Sequence, residues 1–460
     1  MTHARQAALQ YAHEHKQEFL EALTDFASIP SVSTESSYQP EIQKAAEWVA
    51  GYLRKLGIDK VRIFATGGHP VVYGESLKAG PDQPTALIYG HYDVQPAEPL
   101  ELWESGAFEP AIRGENIFAR GISDMKGQVL SILTAVESII RTGNLPINLK
   151  FLFEGEEEIG SPDLGPFINE HKDLLACDFA INPDTGIIAP DVPSITVGLR
   201  GLAYYELRVY GPDHDLHSGM FGGAVHNPAQ VLCELIAGMH DSQGKVTLPG
   251  FYDQVLALQE DEKVEMARLP VNEATYLAQS GAPALWGEEG FSPAERVTAR
   301  PTLEVNGLLA GYTGPGTKTV LPAKAMAKIS MRLVPNQDPQ EVGRQLLRYL
   351  EAHAPGSVRW EILDLTGSPA SLSDRNSPAV QAISKAIQTV WGKSPLFKRE
   401  GGSVPVVTFF KDILKVESVN TGFGLPEDNA HSPNEKLHLP TWYKGIDTFI
   451  NFFFNIASEK

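Results

Sequence analysis

Three apolar, strand-like runs, Thr85–Tyr89, Asn148–Phe153 and Phe179–Ile181, each lead directly into a turn carrying histidine or carboxylate side chains. Short runs of this kind read as strands buried on both faces. Helical spacing of apolar residues over Glu41–Leu56 and Lys126–Thr142 alternates with them. Strands alternating with helices predict an α/β sheet with helices on both faces. In such a sheet, ligands bind beyond the carboxyl ends of the strands, where these charged turns fall.

The pattern is interrupted once. Before it come a helix over Ala7–Phe26, ended at Ile29-Pro30-Ser31, and β-like runs at Lys60–Phe64 and Val71–Tyr73. From about Gly198 the order becomes strand (Tyr204–Tyr210), helix (Pro228–Met239), strands (Leu303–Leu309, Met326–Leu333), helix (Gln340–His353) and strand (Val358–Leu365). A β-α-β-β-α-β order predicts a small ferredoxin-like α+β sheet with two helices on one face. Asp241–Ala299 reads as an insertion of helices and loops. A helix over Ser377–Trp391, strands at Val406–Phe409 and Lys415–Asn420 and a helix over Thr441–Ile456 resume the first pattern. At 460 residues the chain is too long for a single core. The expected division is 1–197 and 369–460 for an α/β domain with a mixed sheet, interrupted by an α+β domain over 198–368.

A formal net charge of −19 disfavours nucleic acid and anionic membrane surfaces as partners. Cys177 and Cys233 show no metal-binding or disulfide spacing, so any metal must be held by histidine and carboxylates. The N-terminal stretch is polar and no apolar run is long enough for a membrane span, which points to a cytoplasmic protein.

Five fragments carry candidate chemistry. In Gly90-His91-Tyr92-Asp93, His91 can ligate a metal through one ring nitrogen while Asp93 hydrogen-bonds the other. In Ser123-Asp124-Met125, Asp124 is either a helix N-cap or a carboxylate with one oxygen on each of two metals. In Glu154-Gly155-Glu156-Glu157-Glu158, Glu158 can bind a metal while Glu157 shuttles a proton between water and a leaving amine. The bland alternative is a solvated acidic loop. Asp184, in Asn182-Pro183-Asp184-Thr185-Gly186, is a terminal ligand or a turn former. His431 is a loop histidine or the last ligand. Taken together, the nitrogen and oxygen donors suit zinc first, then manganese or cobalt.

With these fragments in this order, the chain resembles the di-zinc aminoacylase, carboxypeptidase G and carnosinase superfamily, and most of all its carnosinase-type dipeptidases. The resemblance runs from Ile29-Pro30-Ser31-Val32-Ser33 to His431-Ser432-Pro433-Asn434-Glu435. It implies two divalent metal ions per subunit bridged by Asp124, with His91 and Asp184 completing one site and Glu158 and His431 the other. It implies Glu157 as general base, Asp93 as the partner of His91, and a cis peptide bond at Asp124-Met125. Asp215-Leu216-His217-Ser218-Gly219 matches a stretch whose histidine reaches across a dimer interface to steady the oxyanion, so His217 is given that role and the inserted domain that of lid and dimerisation domain. Ser330-Met331-Arg332-Leu333-Val334-Pro335 places Arg332 on the substrate carboxylate, with Thr319, Gly402 and Ser403 lining the same pocket. The implied activity is two-metal hydrolysis of small dipeptides by a homodimer. Met125 stands where carnosinase-type enzymes commonly carry a second aspartate, which keeps N-acyl-amino-acid deacylase and carboxypeptidase as alternatives. A non-catalytic metal- or peptide-binding protein is the alternative of another class.

Overall fold

The apolar runs that end in charged turns are adjacent parallel strands. In the computed structural model, which describes residues 2–402 and 404–458, the chain forms two compact units. One comprises the chain up to Val197, Ser373–Lys398 and the chain from Pro405; the other comprises Gly198–Leu372 and Arg399–Val404. The strands used below are β1 (Asp59–Phe64), β2 (Val71–Ser76), β3 (Thr85–His91), β4 (Asn148–Glu154), β5 (Phe179–Asn182), β6 (Ser194–Leu199), β7 (Gly201–Tyr210), β8 (Thr302–Ala310), β9 (Lys324–Leu333), β10 (Arg359–Ser368) and β11 (Ser418–Asn420).

In the first unit the sheet order is β1-β2-β4-β3-β5-β11-β6. Strand β3 is parallel to β4 and β5, and β11 is parallel to β5. Strands β1, β2 and β6 pair antiparallel, so the sheet is mixed. Register sets Ile88 between Phe151 and Ile181 and puts His91 opposite Glu154. The four parallel strands therefore end at one edge, and the turns after three of them carry His91, Glu157 with Glu158, and Asp184. Strand β4 is buried along its whole length, as a strand covered on both faces must be. Helix Gly127–Thr142 is buried continuously from Gly127 to Ile139, and helix Leu439–Ile456 packs on it. Trp442 donates its indole N–H to Gly127 O at 2.8 Å, tying the end of the chain to the start of the central helix.

The second unit has the strand order β8-β9-β7-β10, all antiparallel, in a β-α-β-β-α-β succession. Strand β7 alternates buried and half-buried residues, the mark of a sheet covered on one face. Its inward residues Ala203, Leu207 and Val209 share a core with helices Pro228–Ala237 and Pro339–His353. Both helices begin with proline after a capping side chain, Asn227 on Ala229 N and Asp338 on Gln340 N. The 241–299 segment holds short helices at Glu260–Ala267, Glu273–Ser280 and Pro293–Thr298.

Several expectations need correction. The helix expected over Ala7–Phe26 is two helices, Thr2–Glu14 and Lys16–Ala27, broken at His15. Val406–Phe409 is helical within Pro405–Phe409, because a four-residue apolar run carries no period that separates strand from helix. The second crossing between units falls after Leu372 rather than Ser368, since Ser371 and Leu372 still pair with Leu199 and Gly198. Among the described residues, no helix is long and apolar enough to cross a membrane.

Candidate metal centre

His91 ends β3 and is fully buried. Its Nδ1 lies 3.0 Å from the main-chain oxygen of Asp93 and 3.4 Å from the Asp93 carboxylate. Its Nε2 faces Asp124 Oδ1 at 3.2 Å. Beyond its expected place beside the imidazole, the Asp93 carboxylate accepts the main-chain N–H groups of Glu157 and Glu158 on its two oxygens, at 3.2 and 3.1 Å. It thus joins the turn after β3 to the turn after β4.

Asp124 lies in an irregular segment entered through Gly121, whose φ of 76° is open to glycine without a Cβ clash. The Asp124-Met125 peptide bond is cis. The N-cap alternative for Asp124 fails: the helix that starts at Gly127 follows Lys126 and has no side-chain cap. Instead Oδ1 faces His91, and Oδ2 lies 2.9 Å from His431 Nε2. The same His431 nitrogen is 3.2 Å from Glu158 Oε2. His91, Asp124 and Asp184 each offer a ligand atom with all three within 4.8 Å, and so do Asp124, Glu158 and His431. Asp124 belongs to both groups. The Asp184 turn packs so tightly on the C-terminal segment that a Cβ on Gly422 would meet Thr185 O at 2.0 Å.

Electrostatics show which kind of ligand this cluster suits. Asp93, Asp124, Glu157, Glu158 and Asp184 supply five carboxylates against two imidazoles. Burial, and then the charges of Asp184, Glu158 and Asp124, push the Glu157 carboxyl well above its usual range, against the pull of His91. Burial also raises Glu158, opposed by its hydrogen bond to His431. Burial would lower His91, but hydrogen bonds to Asp124 and Asp93 and the charge of Asp184 raise it well above the ordinary histidine value. Asp124 and Glu158 push His431 up to about 10. Such an excess of buried negative charge calls for cations. The donor set of imidazole nitrogens and carboxylate oxygens fits divalent ions, whose binding there would displace protons.

The acidic run is not a solvated loop. Glu154 is buried, receives Tyr89 OH at 2.6 Å and Ser161 Oγ at 2.9 Å, and is pushed up to about 8 by burial. Glu156 accepts His69 N at 2.8 Å and Asp163 N at 3.3 Å. These two brace the turn, leaving Glu157 and Glu158 at the cluster. Other supporting residues escaped the sequence reading. Gln95 donates to Glu158 Oε2 at 2.8 Å. Lys126, fully buried and lowered to about 7 by burial, donates to Phe26 O and Ile29 O beside the Asp124 segment. Glu435 binds that segment directly. Gln95 lies two residues beyond Asp93 and Glu435 four beyond His431, but spacing alone gives no sign of their partners.

The remaining candidates belong to the second unit. His217 is exposed, accepts Gly219 N at 2.9 Å and pairs with Val320, while Ser218 N donates to Thr319 O, so Thr319 lies just before the short strand Val320–Leu321 that pairs with His217. Arg332 lies on β9 opposite Leu202 and Thr302, half-buried, with its pKa lowered by burial. Gly402 O accepts Arg200 N at 3.1 Å, and the Arg200 guanidinium holds Gly401 O at the same distance. Ser403 lies outside the described residues.

The family model described as "Peptidase family M20/M25/M40" matches residues 87–455. A Cys-Gly metallodipeptidase of Schizosaccharomyces pombe is 32% identical, covering 96% of each chain. The human Beta-Ala-His dipeptidase is 29% identical, covering 97% of this chain and 92% of its own. Among solved structures, an M20 family metallo-carboxypeptidase from Sulfolobus solfataricus superposes with a TM-score of 0.87 at 34% identity, covering 96% of this chain and 99% of its own.

Proposed function

Because the chain belongs to peptidase family M20/M25/M40, we propose that it is a dipeptidase that cleaves small peptides with a free C-terminal carboxylate, using two divalent cations, zinc first among them. The observation that carries this reading is the sharing of Asp124 between the His91–Asp184 and Glu158–His431 groups, with Glu157 alongside. Two cations held by these groups would supply Lewis-acid polarisation of the scissile carbonyl and acidification of the attacking water.

The chain's own residues do the rest. Asp93 orients His91 and, through the Glu157 and Glu158 amides, sets the turn that presents both glutamates. Glu157 takes the proton of the attacking water and returns it to the leaving nitrogen, a task suited to a carboxyl with a raised pKa. Arg332 holds the substrate carboxylate with its planar fork, and Thr319 and the Gly402 turn complete that pocket. His217 of a second copy of the chain donates to the developing oxyanion, which makes the active form a homodimer.

A carboxypeptidase reading shares all of these parts, and the 34% identity to the Sulfolobus enzyme supports it. Met125 joins the site in either case, since its sulfur accepts His91 N at 3.3 Å. A substrate series tests the assignment. Dipeptides are expected to be cleaved faster than tripeptides, N-acyl amino acids and dipeptide amides. Arg332→Ala is expected to raise KM for dipeptides roughly 10- to 100-fold, the loss of about 1.5–3 kcal/mol from a hydrogen bond to a charged group. It should leave KM for the dipeptide amide nearly unchanged. Equal loss on both substrates would remove Arg332 from the carboxylate site, and faster cleavage of longer peptides would favour the carboxypeptidase.

A further inference from the structure

Glu435 is fully buried, and both of its carboxylate oxygens are doubly occupied. Oε2 accepts Arg120 Nη1 and Gly121 N, each at 2.8 Å. Oε1 accepts Ser123 N at 3.0 Å and Asp124 N at 3.1 Å. Three of these donors are main-chain amides of the segment that carries Asp124. Asp124 (φ −117°, ψ 92°) and Met125 (φ −129°, ψ 25°) are not helical, so this stretch lacks the regular ladder that would otherwise satisfy its N–H groups. The carboxylate takes the ladder's place.

Glu435 also belongs to the segment that supplies His431. It is fixed there by its own main chain: Ala119 N donates to Glu435 O, and Lys436 pairs with Phe118. Asp428, from the same segment, accepts Ser123 Oγ at 2.8 Å. A buried ion pair with Arg120 would need only one oxygen of Glu435. The other oxygen is taken up wholly by the main-chain amides of Ser123 and Asp124.

We infer that Glu435 is a positioning residue of the metal centre: it clamps the backbone of Asp124 to the segment bearing His431, so that two ligands of one cation are in place before it binds. The inference rests on the reading of Asp124 and His431 as ligands. Glutamine cannot substitute, because it offers one acceptor oxygen and turns an NH2 group toward amide donors. Aspartate keeps the charge that Arg120 requires but is shorter by one methylene, so it cannot serve Arg120 and the Ser123 and Asp124 amides together.

The test compares wild type, Glu435→Gln, Glu435→Asp and a control, Leu346→Ala, which opens a cavity in the core of the second unit. Each full-length protein is stripped of metal. Thermal unfolding and zinc affinity by chelator competition are measured on the stripped proteins, and kcat and KM on a dipeptide after zinc is restored. Glu435→Gln is expected to weaken zinc binding roughly 10- to 100-fold, the usual effect of removing a partner that orients a metal ligand. It should also lower kcat while leaving KM within about twofold, since Glu435 orients ligands rather than holding substrate. Glu435→Asp should fall between it and wild type. Leu346→Ala should lose thermal stability with zinc affinity unchanged. Wild-type zinc affinity and kcat in Glu435→Gln, with only its melting temperature lowered, would make Glu435 a structural partner of Arg120 and overturn the inference. If Glu435→Gln does not fold, Glu435→Asp decides by the same two readouts. A wild-type protein that takes up no zinc overturns the functional reading and this inference with it. Wild-type uptake with unchanged variant affinity overturns the inference alone.

Discussion

Replacing Glu157 by Ala is expected to lower kcat on dipeptides by roughly 10²–10⁴-fold, the range for a general acid–base group, while metal content stays at the wild-type level. The separation follows from position. Glu157 belongs to neither ligand group, yet the adjacent Glu158 belongs to one. Its amide is held by Asp93, so the turn keeps its shape when the Glu157 side chain is removed. Burial and the neighbouring carboxylates favour its protonated form, which fits a group that must hold a proton between attack and departure of the amine. The variant also relieves like-charge repulsion in a crowded acidic site, so its melting temperature should not fall. Kinetics together with metal analysis check this. Loss of metal from Glu157→Ala would make the residue a ligand, and retained turnover would remove it from catalysis.

The second large effect is expected at His217. His217→Ala should reduce kcat by roughly 10²–10³-fold, the scale for losing one oxyanion donor. Its distinctive property is complementation. In a mixed dimer of Glu157→Ala and His217→Ala subunits, one of the two sites receives an intact Glu157 from one copy and an intact His217 from the other. Random exchange of the two inactive proteins should then restore about a quarter of the wild-type sites, given closed twofold pairing. His217 is exposed, and its Nδ1 is engaged by Gly219 N, so Nε2 remains the nitrogen to present to a partner's substrate. Failure of the mixture to gain activity, under conditions where subunits exchange, would place His217 within its own subunit's chemistry or outside catalysis.

What could be read from the residues divides along a physical line. Strands β3, β4 and β5 are buried on both faces and therefore announce themselves as apolar runs, and the residues that follow parallel strands collect at one edge. That is why His91, Glu158 and Asp184 could be named together despite their distance in sequence. His431 could be named only as a loop histidine or the last ligand of the set, since no local pattern ties a loop histidine to a strand end so far away. Hydrogen bonds between distant main-chain and side-chain groups left no trace. The double service of Asp93, the bracing roles of Glu154 and Glu156, and the grip of Glu435 on Gly121, Ser123 and Asp124 all depend on backbone turns of non-repeating geometry. Short apolar segments failed for a related reason. Val406–Phe409 is too brief to show a period, and the helix at Pro405–Phe409 is decided by its surroundings. The return of Arg399–Val404 to the second unit is likewise a tertiary fact, set by Arg200 holding Gly401 and Gly402.

The most direct test of the central claim is a stepwise metal titration of the stripped protein, with dipeptide hydrolysis followed at each addition. The account predicts no cleavage by the stripped chain and uptake of two zinc, manganese or cobalt ions per chain, with full activity reached only as the shared Asp124 site fills. Uptake of two ions with no cleavage of any dipeptide, N-acyl amino acid or longer peptide would contradict it and mark a metal- or peptide-binding protein, and cleavage that persists after metal removal would contradict it outright.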